Sequence, residues 1–166
     1  MTITVRPATM ADHAGINRVS AESAALHARA HPERFVAASD SLPIHHFRHL
    51  IDSANSEVYV AARDGDVVGY ATVQLHETRP YPVVRPRRFA VIDEIAVAES
   101  AQRQGIGRLL IDAAVGWARE RGASAIELNV FEFNEAALAF YEDVGFTSIA
   151  RRLALPLGGQ ADDPVG

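Results

Sequence analysis

Seven residues, Gln102-Arg103-Gln104-Gly105-Ile106-Gly107-Arg108, join an apolar strand pattern directly to a long helix pattern, and they constrain the fold more than any other stretch. Two glycines one residue apart let backbone N–H groups converge on one point with no Cβ atoms in the way. The helix that begins there adds the positive end of its dipole, so the turn is built to hold an anion such as a pyrophosphate. Arg103 and Arg108 add charge and planar donors. The same residues also read as a tight turn with solvated arginines. A dinucleotide fingerprint is excluded, because no third glycine follows at the right place and no acidic residue ends the next strand.

Around this turn the pattern predicts β-α-α-β-β-β-α-β-α-β, one mixed α/β domain over residues 1–157, with 158–166 a tail lacking apolar bulk. Residues 2–6 alternate as an edge strand stopped by Pro7. Thr9 or Asp12 caps a helix reaching about residue 30, which His31-Pro32 breaks. Asp40-Ser41-Leu42-Pro43 starts a second helix with Ile44, Phe47, Leu50 and Ile51 on one face. Strands at 58–62 and 67–75 flank Arg63-Asp64-Gly65-Asp66, a hairpin signal. Residues 78–88, rich in proline and arginine, read as an exposed connection. A strand at 89–97 precedes the glycine turn. A helix at about 105–121 follows it, with Ile106, Leu110, Ala113 and Trp117 on one face and Gly122 as cap. The pattern ends with a strand at 125–131, a helix at 134–143 and a last strand at 146–155.

Composition removes whole classes of chemistry. At 166 residues the chain is one domain's worth, enough to bury roughly 70% of its unfolded surface. It has no cysteine, so disulfides, thiolate nucleophiles and cysteine-ligated metal sites are excluded. It has no lysine either: all 16 basic residues are arginine, which excludes a Schiff-base lysine and a P-loop lysine. With 21 acidic residues the net charge is −5, a poor balance for nucleic acid, and no nucleic-acid partner is expected. No 18-residue apolar run occurs, so no membrane partner is expected, and the N-terminus lacks a signal-peptide layout, so the cytoplasm is the expected compartment. His45 and His49 stand at i, i+4, but no HExxH pattern or nearby carboxylate supports a metal site, and none is expected.

A second patch lies downstream: Asn134, Ala137, Phe140-Tyr141 and Gly145-Phe146. Asn134 stands where a polar side chain caps a helix or reaches a ligand. Tyr141, seven residues on, lies two helical turns further along nearly the same face, and also reads as a packed tyrosine with one satisfied hydroxyl. Strand, Q-x-x-G-x-G, long helix, strand, then N-x-x-A-x-x-F-Y-x-x-x-G-F resembles the GCN5-related N-acetyltransferase (GNAT) superfamily, most specifically over residues 91–146. The resemblance implies an α/β fold with a mostly antiparallel central sheet, splayed where acetyl-coenzyme A binds.

By the same resemblance, the amides of Arg103, Gln104, Gly105, Ile106, Gly107 and Arg108 hold the pyrophosphate, with Gln102 at the motif's first position. Backbone groups around Ile95, Ala96 and Val97 bond the pantetheine arm, Asn134 and Ala137 lie beside it, and Tyr141 is general acid for the departing thiolate. An attacking amine must lose a proton, and the oxyanion needs a donor such as the Val97 amide. Asp93 and Glu94 are the base candidates, Glu94 slightly ahead, with a water chain as the other route. Being adjacent, they are expected on opposite faces of the strand.

His27, His31 and Phe35 are expected to line the acceptor pocket, and Arg79, Arg85, Arg87 and Arg88 either attract an acidic acceptor or are simply solvated. Three functions fit: an acetyltransferase for a small amine, one for protein amines, and a non-catalytic acyl-coenzyme A sensor. Intact Asp93, Glu94 and Tyr141 argue against the sensor, and a proline-rich 80–86 segment closing the groove would favour the small amine. The last strand, at 146–155, offers an edge for a homodimer.

Overall fold

Asp64 and Gly65 adopt φ of 50° and 89°, the left-handed pair that a two-residue turn needs to match strand twist, and they fold the chain into its central hairpin. The computed structural model describes residues 2–158. Its elements are β1 (Ile3–Pro7), α1 (His13–Ala30), α2 (Ile44–Asp52), β2 (Ser56–Arg63), β3 (Asp66–Glu77), β4 (Arg88–Val97), α3 (Ile106–Glu120), β5 (Ile126–Leu128) and α4 (Glu135–Val144). The strands form one sheet in the order β1-β2-β3-β4-β5, antiparallel except for the parallel β4–β5 pair. This is the mixed α/β domain the sequence predicts. Ile16 and Val19 of α1 with Phe47 and Leu50 of α2 pack over Val58, Val60 and Tyr70 on one face. Ile111, Ala114 and Trp117 of α3 pack over Val73, Ala90 and Ile92 on the other.

The sequence left Thr9 and Asp12 open as caps. Asp12 is the N-cap of α1, and its carboxylate faces backwards. It accepts two 2.8 Å bonds from the Arg6 guanidinium and one of 2.7 Å from the Thr9 N–H. These bonds lower the Asp12 pKa from 3.8 to about 2, with the Arg6 fork the largest cause. A depressed carboxylate contributes stability that is present above its unfolded pKa and lost as pH falls through the folded one. Asp12 is 8% exposed. Asp12→Asn should therefore cost about 2 kcal/mol at pH 7. Urea midpoints of the two proteins should converge as pH drops from 5 towards 2; a constant gap would refute the linkage.

Three expectations are corrected. The strand expected at 146–155 does not form: residues 147–158 carry no regular structure, and Ile149, Leu153, Leu155 and Leu157 are 76–90% exposed. A strand needs a neighbour to take its ladder groups, and β5, three residues long, offers little edge. The segment at 80–86 closes no groove. It is exposed and hangs from the end of the hairpin where Glu77 pairs with Arg88, five residues and about 17 Å along β4 from Asp93. There Arg87 pairs with Glu127 and Arg88 with Glu77. The third correction concerns Asp93 and Glu94, described below. Residues 159–166 of the expected tail lie outside the described residues.

Candidate active site

β4 is laddered on both sides only through its first half. Ala90, Val91 and Ile92 pair with Ile126, Glu127 and Leu128, after which β5 ends and β4 continues alone on that side. Its other side stays on β3. The Ala98 N–H donates to the Val68 carbonyl at 2.8 Å. Antiparallel alternation then turns the Ala96 groups towards Tyr70 and those of Ile95 and Val97 towards the open side. Of the three residues named from sequence, Ala96 thus has its backbone taken up by the ladder. Gln102 Nε2 donates to the Val97 carbonyl at 3.2 Å, tying the glycine turn to the strand end and leaving the Val97 N–H as that residue's outward donor.

The turn itself holds two left-handed residues, Arg103 at φ 60° and Gly105 at φ 78°, the latter the N-cap of α3. The first ladder bond of α3 runs from the Leu109 N–H to the Gly105 carbonyl at 3.1 Å. The amides of Ile106, Gly107 and Arg108 therefore stand ahead of the ladder, with no side-chain cap, and can accept an anion. Gln104 serves the turn instead: its side chain accepts from Arg63 and donates to the Ser100 carbonyl at 3.5 Å. The two glycines do different jobs. Gly105 supplies the turn, whereas a Cβ on Gly107 would lie 3.0 Å from Cζ of Phe140, so Gly107 seats α4 against α3.

On α4, the Asn134 side chain accepts from the Ala137 N–H at 3.2 Å, so it caps the helix. Tyr141 packs with Phe140 and Phe146 against the apolar cluster on the α3 face. Burial alone raises its pKa above the ordinary tyrosine value, so the hydroxyl stays a proton donor at neutral pH.

Asp93 and Glu94 were expected on opposite faces. A β-bulge overturns this: Thr72 pairs with Glu94 and the next residue, Val73, with Ile92, so Asp93 is an extra residue in β4. The Glu94 N–H donates to Thr72 Oγ1 at 3.1 Å. The Tyr70 hydroxyl donates to Glu94 at 2.7 Å, and Gln74 donates to Asp93 at 2.8 Å. Tyr70 and Gln74 are four apart in β3 and share the α1/α2 face, as do their partners Val60 and Ser56 in β2; Ser56 donates to the Leu50 carbonyl of α2. Both carboxylates therefore stand on the α1/α2 face. Burial, then the Glu94 charge, raises the Tyr70 pKa far above the usual value, so Tyr70 acts as a fixed donor.

The sequence-expected acceptor residues also come together. His27, His31 and Phe35, at the end of α1 and just beyond it, meet Phe131 and Phe133 of the segment after β5 at centroid distances of 5.1–6.4 Å. Tyr70, Gln74, Phe131 and Phe133 were not singled out from sequence. The available signals were the i, i+4 polar pair inside an apolar strand and the F-x-F directly after one. His45 and His49 sit exposed on α2, and among the described residues no three His, Asp or Glu side chains gather as a metal site.

An open strand edge running into an uncapped helix N-terminus offers unpaired backbone groups to an extended, amide-bearing chain and free amides to an anion. The chain belongs to the acetyltransferase (GNAT) family, whose sequence model matches residues 14–146. The mycothiol acetyltransferase of Thermomonospora curvata is 32% identical over 120 residues, 72% of this chain and 37% of that protein. The ribosomal protein bS18-alanine N-acetyltransferase of Escherichia coli K12 is 38% identical over 77 residues, 46% of this chain and 52% of that protein. The chain thus spans about half the length of these relatives, or less. The BH1408 protein of Bacillus halodurans, solved as a tetramutant, superposes with a TM-score of 0.89 at 26% identity, covering 93% of this chain and 99% of that one.

Proposed function

We propose that this chain moves an acetyl group from acetyl-coenzyme A to a primary amine of a small-molecule acceptor, by direct attack through a tetrahedral intermediate. The observation that carries the reading is the unladdered β4 edge leading into the α3 N-terminus. The pyrophosphate sits on the amides of Ile106, Gly107 and Arg108, with the charges of Arg103 and Arg108 nearby. Pantetheine amides pair with Ile95 and run past Asn134 and Ala137, leaving the Val97 N–H for the reacting carbonyl. Glu94 or Asp93 takes the amine proton from the α1/α2 face. The Val97 N–H donates to the oxyanion, and Tyr141 protonates the thiolate from the α3 face. Acid and base thus flank the slot where β4 outruns β5. Direct attack suits a chain without a cysteine nucleophile.

A protein amine is the second reading, favoured by the likeness to the ribosomal protein acetyltransferase. Coenzyme A release, read by a thiol dye across amines and short peptides, tests both, and the cysteine-free chain gives no background. Acceleration by small amines supports the first reading, and by peptides alone the second. Silence without a melting shift on adding acetyl-coenzyme A would overturn the donor assignment.

Among the described residues no helix is long and apolar enough to cross a membrane, and the cytoplasm is the proposed compartment. The exposed apolar residues from Ile149 to Leu157 support pairing of two copies. Light scattering should give twice the single-chain mass; the single-chain mass would exclude the dimer.

A further inference from the structure

We propose that the acceptor is a primary amine with an aromatic or other planar apolar body, held among His27, His31, Phe35, Phe131 and Phe133. This rests on the acetyltransferase reading above and names its substrate class.

These rings come from two segments about a hundred residues apart, and they do not behave as core. Phe47 and Tyr70 are shut away at 0% and 2% exposure, whereas none of the five cluster rings is buried and Phe131 is 37% exposed. Their mutual geometry is mostly edge-to-face, with Phe35 at 90° to Phe131 and His27 at 70–81° to its three phenylalanine neighbours. Each of the five keeps part of its surface unburied, and a further aromatic ring can pack there edge or face on.

The cluster also lies at the right place. Ser20 of α1 lies beside the Tyr70 hydroxyl, which in turn holds Glu94. His27 is seven residues further along α1, two turns on the same stripe and about 10 Å along the axis. An amine placed at the carboxylates with a short carbon arm therefore carries its body into the rings. The His27 ring is itself fixed. Its Nδ1 lies 2.8 Å from the Ser23 carbonyl, and a carbonyl only accepts, so Nδ1 carries a proton.

The charges at the cluster weigh against a polycationic acceptor. Glu33 is engaged by His31 at 2.8 Å and Glu132 by Arg151 at 3.3 Å. Arg34 brings a cation to within 5.9 Å of the Phe131 centroid. Neither Glu33 nor Glu132 is thus left unpaired to bind second and third ammonium groups.

The test compares coenzyme A release with 2-phenylethylamine, hexylamine, spermidine and kanamycin. The aromatic amine should lead hexylamine by about tenfold or more in kcat/KM, and the polyamines by more. Phe133→Ala should erase that lead while leaving the KM for acetyl-coenzyme A unchanged. Phe133→Leu, which keeps apolar bulk without the ring, should lose most of it too. A melting shift with acetyl-coenzyme A shows that each variant is folded. Preference for spermidine or kanamycin, or a Phe133→Ala loss equal for aromatic and alkyl amines, would overturn the proposal and leave the acetyltransferase standing. Saturation-transfer NMR with 2-phenylethylamine separates the other failure. Transfer to the phenyl ring that Phe133→Ala abolishes, without turnover of any amine, would uphold the cluster and sink the transferase reading. Neither transfer nor turnover would sink the cluster.

Discussion

Tyr141→Phe should lower the turnover number for coenzyme A release by about 10²–10⁴-fold while the KM for acetyl-coenzyme A stays nearly unchanged. The substitution removes one oxygen and keeps the ring that packs on Phe140 and Phe146, so stability and donor binding should survive. What disappears, on the proposed mechanism, is the proton for the leaving thiolate, a need felt in the transition state and not in the bound ground state. Burial raises the Tyr141 pKa, so the wild-type hydroxyl keeps its proton across the assay range, and Tyr141 itself should add no alkaline fall below about pH 10. Initial rates from pH 6 to 9 check both points. A variant with full turnover would remove Tyr141 from the mechanism, and a raised KM with unchanged turnover would make it a binding residue.

Gly107→Val should lower Tm by about 3–10 °C and weaken acetyl-coenzyme A binding by tenfold or more. A Cβ at this position meets the Phe140 ring at 3.0 Å, and two further methyl groups cannot fit without moving it. Phe140 belongs to α4, which also carries Tyr141 and is capped by Asn134, so the displacement reaches both residues. Valine at the second position of α3 otherwise follows helical backbone, which makes the ring contact the cause. Combining Gly107→Val with Phe140→Leu should recover most of the lost affinity, because leucine can yield where the ring cannot. Titration calorimetry of the single and double variants decides it. No recovery in the double variant would mean that the glycine serves the anion-binding amides directly.

What neighbours in sequence decide was legible without a structure. Helical spacing placed α1, α2, α3 and α4 to within a few residues, and Asp64-Gly65 marked the hairpin, because 3.6- and 2-residue periods and left-handed turns are properties of short segments. The anion-binding turn belongs to the same group: glycines followed at once by a helix create free amides wherever they occur.

Strand partnership is not local, and there the tertiary structure decided. An alternating pattern at 146–155 is a strand only if an edge receives it, and β5 stops at Leu128. The bulge at Asp93 comes from the mismatch between β3 and β4, so it could not be read from β4, yet it brings both carboxylates to one face. His27 and Phe133 met for a similar reason: the end of α1 and the segment after β5 approach through the packing of helix on sheet. The sequence by itself determined where free amides converge for an anion, because glycines and a helix start on one short segment suffice for that. The tertiary structure alone decided that both carboxylates share one face and that rings from two distant segments gather together, because those groups lie on strands and helices that meet only when the sheet is assembled.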